Sequence, residues 1–196
     1  MEFDSEGRLI IVNDSKRKDL TKDEIVFWKN KYDKEEDLYN RGDENELRKS
    51  FNEKGFMSKA DLSRIIKWKF QGRLLGRQKV MLNHIKDCNS EFIEKLSKEA
   101  FQSKDDEIRI TLLSNIPAVK NSLSSVILTF YDPSDYGILD IHSWRELFGE
   151  EPKDIFSNKK RAIDFFKKLR EISKNTGLSC RDIEKALFKK NLDENK

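Results

Sequence analysis

The residues of this chain whose types and spacing could do chemistry lie in two neighbouring stretches, IPAVKN at 116–121 and ILDIHSW at 138–144. The first is too short for anything but a tight turn between two helices. Such a turn presents backbone N–H groups and the start of the second helix to solvent, and these attract a phosphate. Lys120 would add a positive charge at the same place. The alternative is a plain helical hairpin that binds nothing.

The second stretch contains an isolated acid, Asp140, between the apolar pair Ile138-Leu139 and the helix HSWRELF. An aspartate at this point is a natural N-cap, because its carboxylate accepts a hydrogen bond from the first turn of the helix. The same position also suits a side chain that projects into a cleft. The residue types alone leave both roles open.

The composition excludes several classes of protein. Charged residues make up 38% and hydrophobic residues 36%, which predicts a folded chain, and the net charge of +3 does not by itself indicate a nucleic-acid binder. Cys88 and Cys180 are the two cysteines, so a disulfide framework, a zinc site and a four-cysteine iron–sulfur cluster are not expected. A loop at 132–143 partly follows a calcium-binding pattern but has Ser143 where a bidentate Glu is required. We therefore expect no metal and no cofactor, and a cytoplasmic protein without a membrane segment.

The elements that must position these residues are helices, because eight glycines and three prolines in 196 residues leave long uninterrupted stretches of helix formers. Capping residues and apolar spacing predict helices that start at Thr21, Ser58 and Ser179. The further helices are expected at 44–52, 90–102, 105–113, 122–131, 142–148 and 159–174. The tetrapeptide LIIV at 9–12 fits either a short strand or a packed arm.

One stretch is much more basic than the rest. KWKFQGRLLGRQK, residues 67–79, carries five Lys or Arg side chains around two glycines. Lys67, Lys69, Arg73 and Arg77 could form a surface that contacts phosphates, and the alternative is an ordinary solvated face.

The two stretches of the opening, read together, resemble a known motif. IPAVKNSLSSVIL followed by ILDIHSW is similar to the helix-hairpin-helix signature of the endonuclease III and MutY-type DNA glycosylase superfamily, LPGVGxxTAxxVL followed by an apolar step and V-D-x-H. Without gaps, Ala118-Val119-Lys120 align with the Gly-Val-Gly hairpin, and Ser122 aligns with the position that is Lys in the bifunctional lyases and Ser in MutY-type enzymes. Asp140, eighteen residues later, falls on the catalytic aspartate, and His142 falls on the histidine.

The resemblance implies roles for these residues. Asp140 would stabilise the positive charge that grows on the sugar as a base leaves, and Ser122 would complete the catalytic pair. Because Ser122 has no amine, no lyase step is expected. DNA contacts are implied at Ala118, Val119, Lys120, Asn121 and His142. A flipped base would stack on an aromatic side chain, for which the candidates are Trp68, Tyr131 and Trp144.

The chain departs from the motif at both hairpin glycines, which are Ala118 and Lys120 here. Glycine adopts positive φ without strain and lets a phosphate approach the backbone closely. Because both glycines are replaced, we expect this turn to bind phosphate less tightly. A second resemblance, over most of residues 55–190, is to a prokaryotic branch of uncharacterised proteins with L-x-G-V-x-x-x-x-A-S-A-I-L followed by D-P-x-x-Y-x-I-L-D-x-R-x-W. It supports the fold and adds little about chemistry.

The expected molecule is an all-α, two-lobed array of about eight to ten helices with a helix-hairpin-helix element. Residues 1–20 would form a polar arm, 21–190 the helical domain with its hairpin at 105–131, and 191–196 a tail. The expected function is monofunctional removal of a base from double-stranded DNA by a monomer, located at the nucleoid if it binds DNA. Two alternatives stay open: a non-catalytic DNA-binding protein, and a protein-interaction module on the same scaffold.

Overall fold

The computed structural model describes residues 2–3, 9–10, 20–36, 42–71, 74–151 and 153–195. This part of the chain is all-α, as the composition predicts, apart from a two-residue antiparallel pair of strands, β1 (Glu2–Phe3) and β2 (Leu9–Ile10). Apart from Leu20, the rest of the predicted N-terminal arm lies outside the described residues. The ten helices within these ranges are α1 (Lys22–Glu36), α2 (Gly42–Lys54), α3 (Lys59–Lys69), α4 (Leu75–Lys86), α5 (Ser90–Gln102), α6 (Asp106–Ser114), α7 (Asn121–Tyr131), α8 (Ile141–Phe148), α9 (Lys159–Thr176) and α10 (Cys180–Glu194).

The predicted helix starts are confirmed by their capping hydrogen bonds. The Thr21 backbone N–H donates to Glu24 at 2.8 Å, and the Glu24 N–H donates back to the Thr21 hydroxyl at 3.3 Å. Ser58 makes the same reciprocal pair with Asp61, and the Ser179 side chain accepts from the first turn of α10. Each cap satisfies N–H groups that have no partner within the helix, which is why a short local pattern predicts the boundary.

Helix α4 was not predicted, because its sequence lacks an apolar face. Among its residues only Ile85 is buried, whereas Leu75 and Val80 are exposed. Its position is set by polar contacts with the end of α3: the Gln78 amide donates to the carbonyls of Lys67 and Phe70 at 3.1 and 3.0 Å. These bonds satisfy terminal carbonyls of α3 and fix the residues that end that helix.

The predicted loose tail is wrong for most of its length. Helix α10 continues to Glu194, because Asn191 is buried and ion pairs join Lys189 to Asp193 at 2.8 Å and Lys190 to Glu194 at 2.9 Å along the helix. Pairs at this spacing stabilise a helix end. Lys196 lies outside the described residues.

The core is organised around α7, which is buried from Leu123 to Phe130 and packs against α2, α3, α6 and α9. Helix α10 forms a second centre, since it packs against α1, α8 and α9. The segment 132–140 contacts both helices, and its residues 136–139 are buried. None of the helices in the described ranges is both long and apolar enough to cross a membrane.

Candidate functional site

The predicted turn joins α6 to α7 through Asn115–Lys120. The Val119 N–H donates to the Ile116 carbonyl at 3.0 Å, and both side chains are buried, so the turn is anchored on the core. Ala118 has a φ of 69°, in the left-handed region that a glycine adopts without strain. The backbone thus takes a conformation suited to glycine although the residue is alanine.

The side chains of this turn divide between the core and solvent. Val119 is fully buried, and the Asn121 amide, also buried, donates to the Ile155 carbonyl at 3.1 Å. Lys120 is exposed at the N-cap of α7 and makes no capping hydrogen bond with its side chain. A ligand at the turn would therefore meet the Lys120 ammonium and backbone N–H groups rather than the side chains of Val119 and Asn121.

Helix α7 holds the segment that carries the acid. The Leu139 backbone N–H donates to the Ser125 hydroxyl at 2.9 Å, and Ile138 and Leu139 are buried. Asp140 then caps α8, as predicted, with its Oδ1 accepting from the His142 N–H at 2.9 Å. The cap uses one carboxylate oxygen, and the side chain keeps 25% of its surface exposed.

The exposed part of Asp140 faces a cleft built of two cavities of about 210 and 370 Å³. The two cavities share the residues Tyr32, Trp68, Lys69 and Phe188. The smaller one is completed by Ile138, Asp140, Arg181 and Glu184. The larger one is completed by Glu35, Gln71, Lys189 and Leu192. We call the two together the Asp140 cleft; three of the twelve described residues that line it are aromatic and six are charged.

The walls of the Asp140 cleft come from distant parts of the chain. Tyr32 lies on α1 and Phe188 on α10, and their rings meet edge to face with centroids 5.8 Å apart. Neither was predicted as a site residue, because each belongs to an amphipathic helix and no local pattern marks it. Only the packing of α1 against α10 brings them to Asp140.

The charges of the cleft are held by an ion-pair network at its floor. Glu184 accepts hydrogen bonds from the Arg181 guanidinium and from the Ser143 hydroxyl, and Arg181 also pairs with Glu44 at 2.6 Å. Burial raises the pKa of the Glu184 carboxyl, and the Arg181 charge opposes this only in part. Burial by itself would lower the pKa of Arg181, but the carboxylates of Glu184 and Glu44 raise it well above its ordinary value.

The residues of the predicted basic surface do not lie together: Lys67 and Arg77 are exposed to solvent, whereas Lys69 lines the cleft. Lys67 is exposed, and Arg77 is exposed with its guanidinium 5.4 Å from the centre of the Phe70 ring. Arg73 lies outside the described residues. Lys69, at the end of α3, is different: it lines both cavities, and its Nζ lies 3.9 Å from Asp140 Oδ2.

Two further predicted site residues, Ser122 and His142, are not among the described residues that line the cleft. Ser122 is half-buried, and its backbone carbonyl accepts a hydrogen bond from the Ser125 hydroxyl at 2.7 Å. The His142 ring is held against α10, with Nδ1 3.0 Å from Asn191 Oδ1 and an edge-to-face contact with Phe188.

Of the three aromatic side chains predicted to stack on a base, Trp68 lines both cavities of the cleft. Its ring is held edge to face against Phe130, with centroids 5.0 Å apart. Trp144 is buried in the core, and Tyr131 stacks on Phe101 with centroids 4.1 Å apart. Trp68 is therefore the candidate that the geometry leaves accessible.

A second, larger depression of about 580 Å³ lies between α6 and α9. Lysines and acids such as Lys104, Lys160 and Asp164 line it, and the described part of its lining contains no aromatic side chain. Among the described residues, no group of three His, Cys, Asp or Glu side chains is placed to hold a metal ion. No protein-family model, curated protein or solved structure matches this chain.

Proposed function

We propose that the protein binds double-stranded DNA and hydrolyses the N-glycosidic bond of a damaged or mispaired base, with Asp140 as the catalytic carboxylate. The observation that carries this proposal is the position of Asp140 at the aromatic cleft. Capping α8 does not by itself require the side chain to face a cavity. Here one oxygen caps the helix while Oδ2 is directed to a cavity of about 210 Å³.

The cleft supports the chemistry of base removal. A base inside a duplex is inaccessible, so the nucleotide must be flipped out and its base held by stacking. Trp68 and Phe188 supply apolar ring surface, and Asp140 lies beside them. As the glycosidic bond lengthens, the sugar gains positive charge, which a fixed carboxylate stabilises while it orients the attacking water. The helix cap holds the carboxylate in place, so little reorganisation is needed.

Cations outside the cleft support the binding of the duplex. Lys67 and Arg77 are exposed near the end of α3, and Lys120 is exposed at the turn before α7. Each neutralised phosphate makes binding more sensitive to salt. We expect Lys67→Ala and Lys120→Ala to weaken binding to all sequences alike and each to reduce the salt slope by about 1.

The proposal is tested with duplexes that carry uracil, 8-oxoguanine, hypoxanthine or alkylated bases. Asp140→Asn keeps the capping ability of the residue, since Asn and Asp cap almost equally well, and removes the negative charge. The matched control is Asp105→Asn, because Asp105 caps α6 in the same way, at an exposed place away from the cleft. We expect Asp140→Asn to slow base release by at least about 100-fold and Asp105→Asn to leave it unchanged.

Two results would contradict the catalytic proposal. If no base is released from any duplex while binding weakens steeply with salt, the protein is a DNA-binding protein without this activity. If no duplex binds even at low salt, both DNA readings are wrong and a protein-interaction role remains. A Trp68→Ala variant adds a check on the cleft, since loss of base stacking should cost about 1 to 3 kcal/mol of binding to the flipped nucleotide.

A further inference from the structure

The residues at the end of α3 bring unused hydrogen-bonding groups into the Asp140 cleft. Lys69 lines both of its cavities with 16% of its side chain exposed, whereas Lys67 on the same helix is exposed to solvent. Gln71, two residues after Lys69, lines the larger cavity. Within the described part of the chain, the Lys69 ammonium and the Gln71 side-chain amide make no hydrogen bond.

Another lysine of the cleft is held differently. Lys189, with 2% of its side chain exposed, donates to Glu35 at 2.6 Å and to Asp193 at 2.8 Å. The ionic partner of Lys69 is Asp140, whose Oδ2 lies 3.9 Å from Nζ, too far for a hydrogen bond. Because an enclosed ammonium without hydrogen bonds costs free energy, its three N–H donors favour a ligand that supplies oxygen atoms.

The enclosed position of Lys69 favours one kind of oxyanion. A phosphodiester inside a strand is tied to a nucleotide on each side, so it stays outside a cavity, where Lys67 and Arg77 are exposed. A terminal phosphomonoester has one such tie and can enter the cavity as a whole. It also carries more negative charge, and an ammonium binds phosphate as a point charge without a fixed orientation.

We propose that the Asp140 cleft also takes a nucleotide that carries a 5′-phosphomonoester, with its phosphate bound by Lys69 and Gln71. The phosphate would occupy the larger cavity of about 370 Å³, and the glycosidic bond would lie beside Asp140 in the smaller cavity of about 210 Å³. The inference rests on the proposed function for the identity of the sugar and base. The phosphomonoester has two sources, a free mononucleotide and the 5′ end of a DNA strand.

The two negative groups of such a complex are compatible because of where Lys69 lies. It lines both cavities, so its ammonium would stand between the bound phosphate and the Asp140 carboxylate and offset their repulsion. The aromatic rings of Tyr32, Trp68 and Phe188 also line both cavities and supply apolar surface for a base at either place.

The test measures binding to the full chain by titration calorimetry, with ligands that differ in the phosphate alone. The ligands are the four common deoxynucleosides and their 5′-monophosphates. We expect at least one monophosphate to bind about tenfold or more tightly than its nucleoside, because charge-assisted hydrogen bonds are gained. Single-stranded octanucleotides with and without a 5′ phosphate separate the sources. A preference for the phosphorylated octanucleotide assigns the site to strand ends, and a preference confined to mononucleotides assigns it to free nucleotides.

Substitutions at the end of α3 assign the preference to its residues. We expect Lys69→Met to abolish the preference for the phosphate, and Lys69→Arg to keep most of it because the charge and the donors remain. The matched control is Lys67→Met, on the exposed side of the same helix, which should leave the preference unchanged. Thermal unfolding checks that each variant folds. If Lys69→Met does not, Gln71→Ala decides, with an expected reduction of the preference by about two- to tenfold.

Three results would overturn the phosphate site. They are the absence of binding by any monophosphate, equal binding of nucleosides and monophosphates, and a preference that survives Lys69→Met or is lost equally in Lys67→Met. Base release from duplexes is measured separately, so the two proposals fail independently. Base release sensitive to Asp140→Asn without a phosphate preference keeps the glycosylase and removes this site. A preference that depends on Lys69 without base release keeps this site and contradicts the proposed hydrolysis.

Discussion

The backbone N–H of Leu139 donates a hydrogen bond to the hydroxyl of Ser125, at 2.9 Å, in the interior of the protein. This bond joins α7, the helix that follows the turn, to the segment that presents Asp140 one residue later. A buried hydrogen bond therefore links the helix after the turn to the segment that carries Asp140. Removing the Ser125 hydroxyl would break this link.

Ser125→Ala removes the acceptor and leaves the buried Leu139 N–H without a partner. We expect the free energy of unfolding to fall by about 1 to 3 kcal/mol, since an unsatisfied buried donor costs its full desolvation. The control is Ser124→Ala on the same buried helix, where the hydroxyl has a 3.5 Å contact with Ser114. Urea unfolding of both variants measures the difference. Equal losses would contradict the role assigned to the Ser125 bond.

Gly137 is enclosed so closely that a side chain has no room. A Cβ there would lie 2.5 Å from Leu169 Cδ1 and 2.8 Å from Glu184 Cβ. We expect Gly137→Ala to destabilise the fold by about 1 to 3 kcal/mol through overpacking and to displace the segment leading to Asp140. Gly76→Ala is the matched control, because nothing lies within 4 Å of that position, and it should be neutral or stabilise α4 by up to about 1 kcal/mol.

Thermal unfolding and the base-release assay of Gly137→Ala and Gly76→Ala measure these effects. If overpacking is the cause, the losses from Gly137→Ala and Leu169→Ala should not add: the double variant should lose less stability than the sum of the two single variants, because the closest atom is then absent. A Gly137→Ala protein as stable as the wild type would show that the segment can shift without cost.

The local chemistry of the sequence predicts more of this fold than of its cleft. Ser58, Asp140 and Ser179 could be assigned as caps because a cap depends on residues within one turn. Helix α4 could not be predicted from periodicity, since Ile85 is its one buried residue and its contacts with α3 are made by a polar side chain, Gln78.

The composition of the cleft depends on packing between distant helices. The capping role of Asp140 could be predicted from its place before α8, but the pairing of Tyr32 with Phe188 requires α1 to pack on α10. Lys69 also could not be placed from the sequence. Its charge and its position in a basic stretch predict a surface lysine, whereas in the structure it is the last residue of α3 and lines the cleft. The Ala118 backbone is a third case: its positive φ fits the turn although the residue type does not favour it.

Acid should weaken the contact that joins α6 to the 132–140 segment. Arg170 donates to both oxygens of Asp106, at 2.6 and 3.0 Å, and the Tyr136 hydroxyl donates to the same carboxylate at 2.7 Å. Burial by itself raises the pKa of Asp106, but the hydrogen bonds from Arg170 and Tyr136 and the charges of Arg170 and Arg109 outweigh it and lower that pKa. The folded pKa is thus below the unfolded one.

A lowered carboxyl pKa stabilises the folded state fully above the unfolded pKa, about 3.9 for an aspartate, and this stabilisation is lost as pH falls through the folded pKa. We expect Asp106→Asn to lose about 1 to 3 kcal/mol at pH 7 and to show a flatter fall in stability between about pH 5 and pH 2. The exposed neighbour substitution Asp105→Asn should keep the wild-type slope. Unfolding midpoints of the wild type and both variants across that pH range measure the slopes. Parallel curves for all three proteins would contradict the stabilising role of the Asp106 carboxylate.

Ala118 offers a test of the turn that depends on backbone conformation alone. Its φ of 69° costs an alanine about 1 to 2 kcal/mol and costs a glycine almost nothing. Glycine also loses more freedom on folding, so we expect Ala118→Gly to stabilise the protein by roughly 0.5 to 1 kcal/mol. Ala60→Gly, at an exposed position inside α3, should instead destabilise it by about 1 kcal/mol. If the turn also contacts a phosphate, Ala118→Gly should tighten duplex binding because the backbone can approach more closely, and unchanged binding with raised stability would assign the turn a structural role only.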